Sequence, residues 1–116
     1  CVSLGAARLV GTSFVPIVES LLKDKNTKAI LIIGQLAGDL EMELATFYHA
    51  VRRKKPMFVY IPGQTLSGAM HVPLLGTETA NPQKIIAEKR AALEKAKAIW
   101  ISDPSLLGQS VLKVLK

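Results

Sequence analysis

Residues 28–34, KAILIIG, run directly into residues 34–39, GQLAGD, and these into LEMELATFYHAV. The unbroken apolar run reads as a strand buried on both faces, and the stretch that follows has the spacing of a helix. Between them stand two glycines, a neutral amide and an acid. A buried strand that turns this sharply into a helix is a βα junction of an α/β protein, and the crevice beyond the carboxyl ends of such strands is where that architecture receives ligands.

The same alternation recurs along the chain. Further strand-length runs are CVSL (1–4), MFVYIP (57–62) and AIWIS (98–102), rich in β-branched or aromatic residues. Helical patterns start near Ser13 (SFVPIVESLLK), Asp39, Asn81 (NPQKIIAEKRAALEKAKA) and Asp103 (DPSLLGQSVLKVLK). Each has a start signal. Ser13 or Thr12, Asp39 and Asn81 can cap through side-chain oxygens, and Pro82 and Pro104 sit where a first helical residue has no use for its N–H. Pro16 falls in a first turn, where it is tolerated. The alternation predicts an open, doubly wound parallel sheet of the flavodoxin-like sort, about four strands with helices on both faces. Only one connection is long, residues 63–80, GQTLSGAMHVPLLGTETA. A loop of that length in a compact domain points to function or disorder.

Bulk properties narrow the function. At 116 residues the chain is expected to form a single domain, residues 1–116. Fifteen Lys and Arg against nine Asp and Glu give a formal charge of +6, which favours anionic partners. The basic residues are scattered apart from RRKK at 52–55, which closes a predicted helix and complements the negative end of its dipole, so no nucleic-acid partner is expected. An aromatic content of 5% argues against a stacking platform for single strands. Cys1 is the single cysteine and no Cys/His spacing resembles a zinc site, so neither a disulfide nor a metal site is expected. No run is apolar for the length of a bilayer and no signal peptide stands at the start, which predicts a soluble chain with no membrane partner. The chain begins at Cys1 without Met, so a longer parent, with only part of a site in this stretch, is expected.

Three segments reach the predicted carboxyl edge of the sheet. In LVGTSF (9–14), Gly11 permits close approach, and Thr12, Ser13 and the opening helix's N–H groups can hold a carboxylate or phosphate, or form only a plain cap. In GQLAGD, Gly34 and Gly38 allow the turn, and Gln35 can donate and accept hydrogen bonds without moving protons. Asp39 reads as a cap. The third segment, from Gly63 to Gly76, carries His71, whose neutral imidazole can accept a phosphoryl group. The other histidine, His49, lies near the basic end of the second predicted helix and reads as structural or surface-lying. No P-loop, Ser-His-Asp order or dinucleotide fingerprint is present.

Taken in order, GTSF, DKNTKAILIIG, GQLAG, KKPMFVYIPG, GQT and the late KRAALEKAKAIWISDPSLLGQSVLKVL resemble the C-terminal ligase domain of succinyl-CoA synthetase α subunits and the related ATP-citrate lyase. The family carries a G-[ST]-x-F helix opening, then G-E-I-G-G after an apolar strand, then KP before the next strand and G-x-T. The resemblance implies a flavodoxin-like ligase domain of an acid–CoA ligase. In that chemistry a nucleotide phosphorylates a histidine, the phosphate passes to a carboxylic acid, and CoA captures the acyl phosphate as a thioester. It implies substrate-binding positions at Gly11, Thr12, Ser13, Gly34, Gln35 and Gly38, with His71 as the candidate catalytic residue. CoA would bind an upstream domain, and ATP or GTP with Mg a β subunit or other domain, with no cofactor inside this domain. The acid would be small, and the compartment bacterial cytoplasm or mitochondrial matrix.

The sequence departs from that family at two linked places. Gln35 stands where the family has the glutamate that steadies the histidine, so it offers a hydrogen bond and no charge. The family's G-H-A-G-A string is missing. Ungapped counting puts Leu74 in the histidine column with Gly76 following, and a shifted loop is needed to bring His71 there. The alternative expectation is therefore a non-catalytic assembly or carboxylate-binding module that has lost the phosphohistidine. A receiver domain or FMN carrier is disfavoured, because neither an acidic phosphorylation cluster nor a hydroxyl-rich phosphate loop follows the first apolar run.

Overall fold

A computed structural model of the chain describes residues 1–5, 10–52, 54–65 and 81–116. Its strands are β1 (Ile30–Ile33), β2 (Met57–Tyr60) and β3 (Ile99–Trp100), and its helices α1 (Phe14–Lys23), α2 (Leu40–Ala50), α3 (Pro82–Lys95) and α4 (Leu107–Leu115), the last preceded by a 3-10 turn over Pro104–Leu106. The sheet is parallel throughout, in the order β1-β2-β3, with Ile30 opposite Met57 and Phe58 opposite Ile99. The α/β architecture with helices around a parallel sheet is the one the alternation predicts.

The strand count is smaller. Three strands pair among the described residues, and residues 1–5 are in none of them. Cys1–Leu4 has strand composition, but a strand exists only against a ladder, and no described strand pairs with it.

Parallel pairing with each helix between consecutive strands accounts for the core. α2 packs against both α1 and α3. Ile30 and Ile32 of β1 with Met57 and Val59 of β2 form one buried cluster with Val18, Leu44, Tyr48 and Leu93 from these helices. On the sheet's other face Phe58 is fully buried, whereas Leu31 and Ile33 are 42% and 63% exposed. β1 therefore alternates, although its sequence is continuously apolar.

One helix end differs from expectation. α2 stops at Ala50, and Val51 is already extended, so the basic run does not close that helix. Lys54 donates to the carbonyl of Ala96 (3.0 Å) beyond α3 and stands 4.8 Å over the Tyr48 ring. Lys55 donates to the carbonyls of Leu21 (2.7 Å) and Asp24 at the end of α1. The two lysines thus satisfy the negative ends of two other helices. Tyr48, whose phenol burial pushes above its usual range, donates to the Lys55 carbonyl at 2.8 Å and fixes the base of this arrangement.

α3 begins as its sequence predicts, with the Asn81 side chain accepting from the Lys84 amide (3.1 Å) and Pro82 just inside. Its far end closes with the Ala98 amide on the Leu93 carbonyl and the Lys97 amide on the Glu94 carbonyl, which places Lys97 at φ 71°.

Candidate functional site

The turn after β1 is built around a buried ion pair. The β1–β2 ladder extends one step further through the Gly34 amide to the Tyr60 carbonyl (2.9 Å), after which the chain must leave the sheet. Gln35 leaves it clamped at both backbone groups. Its N–H donates to Oε1 of Glu41 (2.8 Å), and its carbonyl accepts from Nζ of Lys89 (2.9 Å). Lys89 also donates to Oε2 of Glu41 at 2.7 Å, with the two side chains 3% and 0% exposed. Carboxylate, ammonium and backbone close a ring in which each charge meets the other and each also holds the turn. Burial of two charges is tolerated when such hydrogen bonds complete the pairing, and deleting one partner costs about 3–5 kcal/mol.

The glycines of the turn follow from this. A Cβ on Gly34 would lie 2.6 Å from Oε1 of Glu41 and 3.1 Å from its Cγ, so only glycine lets the strand pass that close to the buried carboxylate. Gly38 takes φ 78°, a left-handed conformation that side chains resist, and a Cβ there would sit 3.7 Å from Nε2 of Gln35. The Gln35 side chain is therefore drawn over Gly38 at the carboxyl edge of the sheet.

Neighbouring segments meet at the same edge. Ser13 precedes α1 without a side-chain cap, and its hydroxyl instead donates to Oε1 of Glu43 in the first turn of α2 at 3.5 Å. Asp39 likewise makes no side-chain cap, its carbonyl accepting from the Met42 and Glu43 amides. After β2, Gln64 donates through Nε2 to the Ile101 carbonyl (2.9 Å) and accepts through Oε1 from Trp100 Nε1 (3.1 Å), which ties the start of the long loop to the end of β3.

The electrostatics of the two helix openings differ. The first turn of α2 carries Glu41 and Glu43, and the Gln35 amide is already given to Glu41. An incoming carboxylate would meet charge of its own sign there. The first turn of α1 has no acidic residue of its own and no side-chain cap, so its amides, behind Gly11, Thr12 and Ser13, are less opposed by charge, although the Glu43 carboxylate stands 3.5 Å from the hydroxyl of its N-cap Ser13. A Cβ on Gly11 would meet nothing within 4 Å, so that glycine leaves open space at the edge.

Of the residues singled out from the sequence, Ser13 is brought to the opening of α2, while Gly34, Gln35 and Gly38 form the turn itself. Gly11 and Thr12 are exposed beside Ser13. His71 lies outside the described residues. His49 is exposed in the last turn of α2, as a surface residue. Among the described residues no group of His, Cys, Asp and Glu could hold a metal ion, and no helix is long and apolar enough to cross a membrane.

Glu41 and Lys89 escape a reading by motif, yet a signal exists. Glu41 shares the inward stripe of α2 with Leu44, Ala45 and Tyr48, and Lys89 shares that of α3 with Ile86 and Leu93. A charge at an inward position on each of two packed helices, opposite in sign, is the pattern of a buried pair.

Fold and site together define a parallel α/β domain whose first βα turn is held by internal charge at the carboxyl edge of the sheet. Comparison with known proteins gives that class its nearer relations. No protein-family model matches the chain. The chain is 33% identical over 115 residues to the succinate–CoA ligase [ADP-forming] α subunit of Aquifex aeolicus, covering 99% of this chain and 37% of that protein. With the same subunit of Methanothermobacter thermautotrophicus the identity is 30% over 107 residues, 92% of this chain and 36% of the relative. With that of Staphylococcus aureus it is 26% over 115 residues, 99% of this chain and 38% of the relative.

Among solved structures, ATP citrate lyase of Methanosaeta concilii in complex with (3S)-citryl-CoA superposes with a TM-score of 0.72 at 19% identity, covering 96% of this chain and 18% of that one. ATP citrate lyase of Methanothrix soehngenii in complex with citrate and coenzyme A gives the same values. Over nearly its whole length the chain resembles the succinate–CoA ligase α subunit, and its fold is that of a region of ATP citrate lyase. It spans little more than a third of the length of these curated relatives.

Proposed function

We propose that this chain is the ligase domain of a nucleotide-dependent acid–CoA ligase, working with a CoA-binding domain elsewhere in the parent protein and with a nucleotide-binding β subunit or domain. The observation that carries the reading is the similarity to a succinate–CoA ligase α subunit over 99% of the chain. The edge geometry supports it, because uncapped α1 amides, the Ser13 hydroxyl and the Gln35 amide side chain lie on segments that meet at one rim. These groups suit a small carboxylate that must be bound and oriented. The turn backbone is rigidly held, which favours a fixed approach between acid and phosphate.

In the proposed chemistry the nucleotide's terminal phosphoryl group moves to an imidazole nitrogen of His71, breaking the bond to the nucleotide oxygen. A carboxylate oxygen then attacks phosphorus and the P–N bond breaks. Finally the CoA thiol, losing its proton, attacks the acyl carbon and inorganic phosphate leaves. Gln35 would steady the ring by hydrogen bonding alone, since its amide carries no charge. Substrate binding is assigned to Gly11, Thr12, Ser13, Gly34, Gln35 and Gly38.

The test is to incubate the assembled parent protein with ATP or GTP labelled in the terminal phosphate and look for acid-labile phosphate on His71. Gln35→Glu should increase that labelling by restoring a negative partner. No label at His71, with succinate still bound, would support instead the carboxylate-binding module, a reading that the uncharged Gln35 favours.

A further inference from the structure

The Glu41–Lys89 pair lies outside the binding set just assigned, yet it is the most buried charge in the described fold and both of its members end on one residue. A pair that served only to join α2 to α3 would have no need of the turn. Here Glu41 receives the Gln35 N–H and Lys89 grips the Gln35 carbonyl, so the peptide groups on both sides of that Cα are fixed. With both peptide planes fixed, the direction of the Cα–Cβ bond is fixed too. That bond aims the only long polar side chain between β1 and Asp39 over Gly38.

The geometry points to Glu41 and Lys89 as positioning residues that hold Gln35 in its working orientation at the carboxyl edge of the sheet. The two helices that supply them are also the crossovers on either side of β2, so the turn is referenced to the core. Displacements well under the length of a side chain are enough to matter, since misplacing a reacting or orienting group by an ångström can lower a rate about a hundredfold. The inference rests on the ligase reading in one respect, that the Gln35 edge receives a carboxylate.

Single substitutions leave a buried charge alone and risk unfolding, so the informative variant removes both charges together as Glu41→Leu with Lys89→Met, a replacement that cores of this kind tolerate. In the full-length protein assembled with its nucleotide-binding partner, thioester formation is followed with succinate, CoA and ATP, alongside thermal unfolding. The expected result is a variant that stays folded but melts below wild type, because the two Gln35 backbone groups lose their charged partners, with kcat per folded protein lowered about tenfold to a hundredfold and an unchanged KM for CoA. Lys89→Arg, which keeps a charged donor, should lose less. A double variant that turns over like wild type, or one whose loss only follows its lost folded fraction, overturns the inference.

If the wild-type protein itself forms no thioester, the ligase reading fails and binding decides the inference. Succinate titrated onto the protein should then shift the Gln35 amide resonance in wild type and not in the double variant. No shift in wild type, or equal shifts in both, overturns it.

Discussion

Adding one methyl group to the protein should have opposite effects at two glycines of the same sheet edge. In Gly34→Ala the new carbon would arrive 2.6 Å from Oε1 of Glu41, where ordinary contact begins at 3.4 Å, so the carboxylate or the strand end must give by most of an ångström. The carboxylate cannot swing away cheaply. It is 0% exposed, 2.7 Å from Lys89 Nζ and 2.8 Å from the Gln35 N–H. Overpacking costs about 1–3 kcal/mol, and a strained or lost hydrogen bond to a charged group about 1.5–3 kcal/mol more. The sum is a loss of roughly 2.5–6 kcal/mol, and at about 4–8 °C per kcal/mol for a small domain the melting temperature should fall by at least about 10 °C. In Gly11→Ala nothing lies within 4 Å and the backbone is not left-handed, so the same methyl should be neutral or stabilise by about 0.4–1 kcal/mol through the unfolded chain. Urea and thermal unfolding of both variants read the contrast. Equal behaviour of the two, or a Gly34→Ala protein as stable as wild type, would refute the buried-pair account of this turn.

Lys97→Gly should stabilise by about 1 kcal/mol in chemical denaturation, because Lys97 occupies the left-handed position that ends α3 at φ 71°. Lys55→Met should destabilise by roughly 1–2 kcal/mol, since it removes the charged donor on the Leu21 and Asp24 carbonyls. The Asp24 carboxyl, held below its usual range first by the Thr27 hydroxyl and then by the Asn26 amide, should titrate below 3.8 by NMR in the native protein. Its folded pKa is the lower one, so its contribution is present above the unfolded value and is lost as pH falls through the folded value. Asp24→Asn should therefore flatten the acid limb of the stability curve below about pH 4 and leave the neutral range unshaped by this group.

The architecture is legible because each signal for it is local. An apolar run, a turn and an amphipathic stretch recur in order, and Asn81 and Pro82 start α3 where they should. The resemblance read from GTSF through GQLAG to KRAALE agrees with the relatives found over nearly the whole chain. What the sequence hid depends on partners distant along the chain. CVSL has strand composition, but pairing is a property of two segments. The basic run reads as the end of α2 until Lys54 and Lys55 are seen to serve α3 and α1, more than thirty residues away in each case. The Glu41–Lys89 pair spans 48 residues and is visible in sequence only through the helical register that turns both charges inward. Ser13 and Asp39 read as caps by residue type, whereas the Ser13 hydroxyl is drawn to Glu43 and neither side chain caps its helix.

Chemistry at the carboxylate of the acid leaves a trace in where its oxygen atoms go. Succinate labelled with oxygen-18 in its carboxyl groups is supplied with CoA and ATP to the full-length protein together with the proposed nucleotide-binding partner. If an acyl phosphate is formed and then opened by the thiol, one labelled oxygen leaves with phosphorus, and the inorganic phosphate released should carry oxygen-18 in proportion to thioester made. Thioester accompanied by unlabelled phosphate, or no thioester from a folded and fully assembled protein, would contradict the account.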